Sequence, residues 1–360
     1  MAYKMLIINP GSTSTKIGIY EDEKEISSQT LRHSVEELKP YPSIIDQIDF
    51  RTKIIEDYLA SQNIELKSFS AIVGRGGLLK PIESGTYSIN EKMLEDLKSC
   101  KYGAHASNLG ALIAYKIAKD AGINSFIVDP VVVDELSDEA RICGHPLFKR
   151  VSIFHALNQK AVARSAAKAL GKKYEDVNLI VAHLGGGISI GSHRKGKVVD
   201  VNNALDGEGP FSPERAGTLP AGQLIEAAFS GKYNLAEMKK MLTGQGGLTA
   251  HLGTNDVREV VKRIDNNDKN AELILNAMCF TIAKYIFAGF ASLYGDVDAI
   301  VLTGGIAYNN DYIVEPIKKY LGKIIENIPV LVFPGEEELF ALAAGALRVL
   351  KGEEKAKIYE

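Results

Sequence analysis

The feature that most constrains the fold of this 360-residue chain is an internal echo. Met5–Tyr20 (MLIINPGSTSTKIGIY) reads as an apolar strand, a Gly/Ser-rich turn and a second strand. Leu179–His193 (LIVAHLGGGISIGSH) reads the same way. Each is followed by a strand that ends in glycines, Ala71–Gly77 (AIVGRGG) and Ala299–Gly305 (AIVLTGG). A hairpin followed by strand–Gly-Gly, once in each half, is the pattern of a duplicated α/β domain. Length agrees, since domains average roughly 150 residues and this chain has room for two. Further strands are expected at Phe126–Val128, Lys197–Val201 and Val330–Phe333. Helical patterns run over Ser43–Gln62, Asn90–Ser99, His105–Ala121, Ala156–Leu170, Leu224–Ser230, Thr254–Asn266, Ala271–Tyr294, Asp311–Ile325 and Glu336–Leu350. Within Ala156–Leu170, Lys160, Arg164 and Lys168 recur every fourth residue, a row that reads as a solvated face.

Composition excludes several classes. Lys+Arg 42 against Asp+Glu 45 leaves a net charge of −3, so neither a nucleic-acid binder nor an acidic tail protein is expected. Three scattered cysteines, none in a C-x-x-C pair, suggest neither a disulfide framework nor a zinc site. Glu272 and Lys284 interrupt the apolar stretch Ala271–Tyr294, which therefore reads as a core helix rather than a membrane span. An exposed face of it would suit subunit pairing. No targeting segment is recognised, and a cytoplasmic protein without a membrane partner is expected.

Three Gly-rich turns follow apolar strands: Asn9–Lys16, His183–Gly187 and Thr303–Asn309. Glycine lets backbone N–H groups approach an anion, and Ser/Thr hydroxyls add donors. On an extended segment Ser12, Ser14 and Lys16 alternate onto one side, a donor set suited to phosphate. The familiar nucleotide motifs are absent: Gly191–Val198 (GSHRKGKV) lacks the Ser/Thr of a P-loop and lies between strands. Arg75 and Arg215 sit in Gly-rich loops, a setting for bidentate binding of phosphate or carboxylate or for an ordinary surface arginine. Asp129 ends a strand and precedes Pro130, a magnesium anchor or a turn opener. His155 and His183 each adjoin apolar runs and also read as buried, hydrogen-bonded histidines. Asp206 and Glu208 flank Gly207 in what reads as a solvated loop. Glu336, Glu337 and Glu338 open the last helix, where the dipole favours negative charge.

Taken in order, Ile8–Lys16, Val73–Gly77, Phe154–Lys160, Ala182–Ile190, Asp200–Pro220 and Leu302–Asn309 resemble the acetate/butyrate kinase family from the first strand to the last helix. The resemblance implies a duplicated actin-like (ribonuclease H-like) α/β fold with an ATP cleft between its domains. The expected division is 1–132, joined by 338–360, and 133–337. It implies reversible transfer of the γ-phosphoryl of MgATP to a short-chain carboxylic acid, giving an acyl phosphate and ADP. Asn9, Ser12, Ser14 and Lys16 would then form one phosphate loop, and His183, Gly185, Gly186 and Gly187 a second. Gly304, Gly305, Ile306 and Asn309 would bind base and ribose. Arg75, Asp129, His155 and Arg215 would be catalytic. Asp129 and one of Glu337 and Glu338, with Glu337 favoured, would bear on magnesium. Gln159 stands where the acetate kinases carry a second histidine, and the Arg215 loop is worded differently. These departures imply a longer acid such as butyrate or isobutyrate, with an acetate, propionate or branched-chain acid kinase as the alternative. A homodimer or larger homo-oligomer is expected.

The chemistry is consistent. A carboxylate, with a reference pKa of about 4, is ionised at neutral pH and needs no general base. Transfer then demands positioning and charge neutralisation. A sugar or polyol kinase on the same fold would instead need a base for its hydroxyl acceptor. An actin-like ATPase or nucleotide sensor would hydrolyse ATP without regard to small acids.

Overall fold

The computed structural model describes residues 2–360. The chain divides into two compact units, Met1–Val133 with Glu337–Glu360, and Asp134–Glu336. In the first, β1 (Lys4–Pro10), β2 (Ser14–Glu21) and β3 (Lys24–Arg32) form an antiparallel meander. β4 (Ala71–Arg75) joins β1 in parallel, β5 is Thr86–Ser88, and β6 (Asn124–Val128) joins β4 in parallel. With the terminal strand Lys357–Ile358, the order is terminal strand–β5–β6–β4–β1–β2–β3. In the second unit β7 (Asn178–Leu184), β8 (Ile188–Arg194) and β9 (Lys197–Val201) form the same meander. β10 (Ala299–Gly304) and β11 (Val330–Pro334) add in parallel beside β7, giving the order β11–β10–β7–β8–β9.

The duplication seen in the sequence is thus a duplication of topology: β6–β4–β1–β2–β3 in one unit matches β11–β10–β7–β8–β9 in the other. The central strands are continuous apolar runs because parallel sheets are covered on both faces. Met5–Ile8, Ala71–Val73, Leu179–Ala182 and Ala299–Leu302 are fully buried.

Helices Asn108–Ala121 and Glu338–Leu350 pack on the first sheet, and Ala156–Ala169 and Lys269–Ser292 on the second. Asp268 caps Lys269–Ser292 by accepting from Asn270 N and Ala271 N. This helix is long and apolar enough to cross a membrane by length and composition. One face, including Leu275, Met278, Ile282 and Ile286, is nonetheless sunk in the core of the second unit, while Leu273, Phe280 and Phe287 on the other are exposed.

Three expectations need correction. Lys160 is 0% exposed: its Nζ donates to Glu135 Oε2 (2.6 Å) and Gly196 O (2.9 Å), so the basic row is not a solvated face. Glu208 is no free loop carboxylate, because it pairs with Arg150 and accepts from Asn203 N. The single helix expected over Asp311–Ile325 is three pieces: a π turn Asn310–Val314, a helix Glu315–Leu321 and a 3₁₀ turn Gly322–Glu326. Gly322, at φ +56°, interrupts the ladder.

Candidate active site

The turn between β1 and β2 is Gly11–Thr13. The guanidinium of Arg51, wholly buried in helix Ile48–Ser61, supports it from beneath. Its Nη1 donates to Gly11 O, Ser14 O and Thr15 Oγ1, and its Nη2 to Ser12 O. Gln47 Oε1 accepts from Nε and Nη2. His33 N donates to Thr13 O at 2.9 Å. Every carbonyl from Gly11 to Ser14 is therefore engaged within the unit, which removes the groups that would repel an anion. The side chains of Ser12 and Lys16 are left exposed, and Lys16 stands opposite Asn9 in the β1–β2 register. Burial lowers the pKa of Arg51 to about 10, still a cation at neutral pH. Burial, and after it the charge of Arg51, brings His33 down to about 4.

Beside this turn, Asn9, Arg75 and Glu338 converge. Asn9 Nδ2 donates to Glu338 Oε2 (2.6 Å), Arg75 Nη1 donates to Glu338 Oε1, and the same Nη1 lies 3.4 Å from Asn9 Oδ1. Glu338, the first residue of the last helix, reaches these side chains, and Glu337 occupies the cap position before it. At the end of β6, Asp129 is 3% exposed with φ +37°. Its Oδ1 accepts from Ser84 Oγ (2.6 Å) and Gly85 N (2.8 Å). Aspartate tolerates the left-handed region, so the Asp-Pro turn and a buried, oriented carboxylate are one feature.

In the second unit the turn Gly185–Gly187 joins β7 to β8. His183 is 1% exposed, and its Nδ1 bonds to Asn158 Oδ1 at 2.8 Å. Its ring stacks on His155, centroids 3.7 Å apart and planes 10° apart. Glu336 Oε1 lies 3.0 Å from His183 Nε2, outside hydrogen-bonding geometry. Arg215 passes under the turn: a Cβ on Gly187 would collide with its guanidinium, so any side chain there would displace it. Arg215 Nη1 donates to Ala204 O, and its buried Nε has no protein partner. Burial lowers its pKa and neighbouring Glu214 partly restores it. Ser212 Oγ fixes the turn by donating to Gly186 O (2.6 Å).

The third Gly-rich segment abuts the second. Gly304 has φ +91°, and a Cβ there would strike the backbone of Leu184, so β10 and the end of β7 touch through glycine. Gly305 and Ile306 lie in a 3₁₀ turn, and Asn309 caps the following turn by accepting from Tyr312 N (3.1 Å). Gly186, Gly305, Ile306 and Asn309 share one cavity of about 970 Å³ with Asn255, Asp256, Arg258, Tyr308, Asp311 and Tyr312. The sequence motifs did not single out these last six, which come from the start of helix Val257–Asp265 and the turns after β10 and are brought together only by the fold. They also missed Arg51, although an arginine four residues before Ile55 on a buried stripe is a visible signal.

Within each unit, then, the structure gathers most of the residues singled out. Asn9, Ser12, Ser14, Lys16 and Arg75 cluster in the first, with Glu338 added. His155, His183, Gly185–Gly187 and Arg215 cluster in the second, with Gly304, Gly305, Ile306 and Asn309 alongside. Asp129 and Glu337 lie in the first unit without a bond to the Asn9 cluster.

Two units with one repeated sheet, each ending a hairpin in an anion-suited turn, define the class as an actin-like phosphoryl-transfer fold. The chain belongs to the acetokinase family, whose model matches residues 147–326. A probable butyrate kinase of Clostridium botulinum strain Eklund 17B is 56% identical over 359 residues, covering 100% of both chains. Butyrate kinase 1 of Clostridium acetobutylicum is 56% identical over 358 residues, covering 99% of this chain and all of that protein. In fold, the crystal structure of Porphyromonas gingivalis acetate kinase matches with a TM-score of 0.78 at 20% identity, covering 97% of this chain and 100% of that one.

Proposed function

We propose that this protein transfers the γ-phosphoryl of ATP reversibly to butyrate, forming butyryl phosphate and ADP. The observation that carries the reading is the 56% identity, end to end, with the two clostridial butyrate kinases. The local geometry supports roles for individual residues. The cavity beside Gly305, Ile306 and Asn309 takes the base and ribose. Gly185–Gly187 and His183 are the phosphate-binding candidates of the second unit, and Asn9, Ser12, Ser14 and Lys16 those of the first. Arg215, with a buried Nε that no protein group satisfies, is set to receive an anionic oxygen. Arg75 supplies a second guanidinium, oriented by Glu338.

The carboxylate of the acid attacks phosphorus as its anion, so no group has to remove a proton. The protein's task is to hold donor and acceptor in line and to neutralise the charge on the equatorial oxygens. Arg75, Arg215 and Lys16 supply charge, and His155 supplies a hydrogen bond.

Asp129 and Glu337 are the magnesium candidates. Among the described residues no group of three or more His, Cys, Asp or Glu side chains is placed to hold a metal. That fits Mg²⁺, which takes one or two carboxylates and draws its other ligands from phosphate and water. Asp129, with Oδ1 fixed by Ser84 and Gly85, offers an oriented hard oxygen. A magnesium ion held there would offset negative charge on the phosphates. Glu338 is already engaged by Asn9 and Arg75, which supports Glu337 as the second candidate.

The test is acyl phosphate trapping with hydroxylamine in the presence of MgATP and equal acetate, propionate, butyrate and isobutyrate. Hydroxamate should form fastest from butyrate. Fastest trapping from acetate would overturn the substrate, and no hydroxamate from any acid would overturn the reaction.

A further inference from the structure

Behind the stacked histidines lies a buried chain of hydrogen bonds in which a single backbone carbonyl fixes every proton. Gln159 is wholly buried in the first turns of helix Ala156–Ala169. Its Nε2 lies 3.0 Å from Ser189 O and 2.8 Å from Ser189 Oγ. A carbonyl only accepts, so the amide nitrogen must face it, and the amide orientation is set. The two N–H bonds of Nε2 are then spent on these two oxygens.

Consequences run in both directions. Outward from the site, Gln159 Oε1 lies 3.0 Å from His193 Nε2, which must carry a proton to donate to it. His193 is completely buried, and that burial, with the charges of Lys160 and Arg164, holds it neutral. Its Nδ1 is therefore an acceptor, and Tyr174 OH donates to it at 2.7 Å. The Tyr174 ring is in turn held beneath the Lys160 and Arg164 cations, 5.5 and 5.1 Å from its centroid.

Toward the site, Ser189 Oγ accepts from Gln159 and so has one proton to place. Ser189 is fully buried, and a hydroxyl proton without an acceptor is costly there. His155 Nδ1 stands 2.9 Å away. Ser189 Oγ already accepts from Gln159 Nε2 and, at 3.5 Å, from His155 N, so a protonated Nδ1 would be a third donor to two lone pairs and the serine proton would be stranded.

We infer that Gln159, held by His193 and Tyr174, is a positioning residue that fixes His155 as the neutral tautomer protonated at Nε2. His155 then presents a fixed N–H and does not exchange its proton during transfer. For catalysis this rests on the reading of His155 as a hydrogen-bond donor to the transferring phosphoryl. A proton-free Nε2 would turn a lone pair towards anionic oxygen, so an unfixed tautomer would lose the donor for part of the time. Partners that orient a metal-ligating histidine are typically worth about 10–100-fold, and the same order is expected for His155.

The test is ¹⁵N NMR of the full chain labelled at histidine, which reads the tautomer directly, with steady-state kinetics beside it. In the unaltered protein His155 should show a protonated Nε2 and an acceptor Nδ1. Gln159→Leu should mix the tautomers and lower kcat by about 10–100-fold, with the KM for butyrate little changed. Tyr174→Phe keeps the ring and removes only the outermost donor. It guards against a Gln159 variant that does not fold, and should give the same tautomer mixing to a smaller degree, with a several-fold fall in kcat. His155 protonated at Nδ1 in the unaltered protein, or a tautomer unmoved in both variants, would overturn the inference. A tautomer that shifts while kcat holds would confirm the relay and instead remove His155 from the transfer step.

Discussion

The two hairpin turns solve the same problem with opposite chemistry. In the first unit, Ser12, Thr13 and Ser14 carry hydroxyl side chains, and a buried arginine behind them absorbs the carbonyls. In the second, Gly185–Gly187 has no side chains, and an arginine occupies the space where one would stand. Arg51 spends its donors on the protein, whereas Arg215 keeps a buried Nε without a protein partner. One cation therefore builds its turn and the other is left for a ligand. Duplication supplied a common frame, and each copy then gave its arginine a different set of partners.

If that division of labour is right, removing the two arginines should give different failures. Arg215→Leu should lower kcat by about 10³-fold, the lower range for an arginine in phosphoryl transfer, with thermal stability barely altered. Steady-state kinetics beside a melting curve will show this. Next in size is the contrast between glycines. Gly187→Ala should push the Arg215 guanidinium aside and lower kcat by about 10²-fold. In Gly11→Ala the new Cβ meets only Ser14, at 3.5 Å and beyond, and kcat should stay within a factor of a few.

Arg51→Met should act through stability. It orphans the carbonyls of Gly11 and Ser12 together with Gln47 Oε1, while Ser14 O keeps Gly11 N, at about 1–3 kcal/mol for each orphaned group that water cannot reach. Denaturant unfolding should show a lower midpoint, and the surviving folded protein should bind ATP more weakly. The smallest effect concerns pH. His33 has a folded pKa of about 4 against an ordinary 6.5, so the unfolded chain binds more protons between those values. The stabilisation from neutral His33 is complete above pH 6.5 and is lost as pH falls towards 4. His33→Gln should flatten that part of the stability–pH curve by about 1–2 kcal/mol at pH 5, measured by thermal unfolding across pH. His193 gives the second unit a slope of the same sign.

Much of this was legible in the sequence because hairpins and Gly-rich turns are local. An apolar run, a glycine cluster and a second run are contiguous, and their echo in the other half exposed the duplication. Partners far apart in sequence were not legible. Lys160 looked solvated because its spacing matched a polar helical face, and the buried Glu135 that neutralises it belongs to another segment. The edge strand β3 (KEISSQTLR) lacks an apolar face and is mostly exposed, so alternation gave no sign of it. Between Glu337 and Glu338 the choice turns on where the last helix begins, since one residue of phase rotates a side chain by about 100°. Arg51 shows the limit most plainly. Its helix position marks it as buried, but which carbonyls it holds depends on a turn nearly forty residues earlier in the chain.

The central claim is that a butyrate oxygen attacks the γ-phosphorus of ATP, and ³¹P NMR with doubly ¹⁸O-labelled butyrate tests it most directly. Carboxylate attack makes the bridging atom of butyryl phosphate one of the acid's own oxygens. The account predicts that the new phosphoryl resonance carries the isotope shift of one bound ¹⁸O. ATP consumed with only unlabelled inorganic phosphate appearing, and no acyl phosphate, would contradict it.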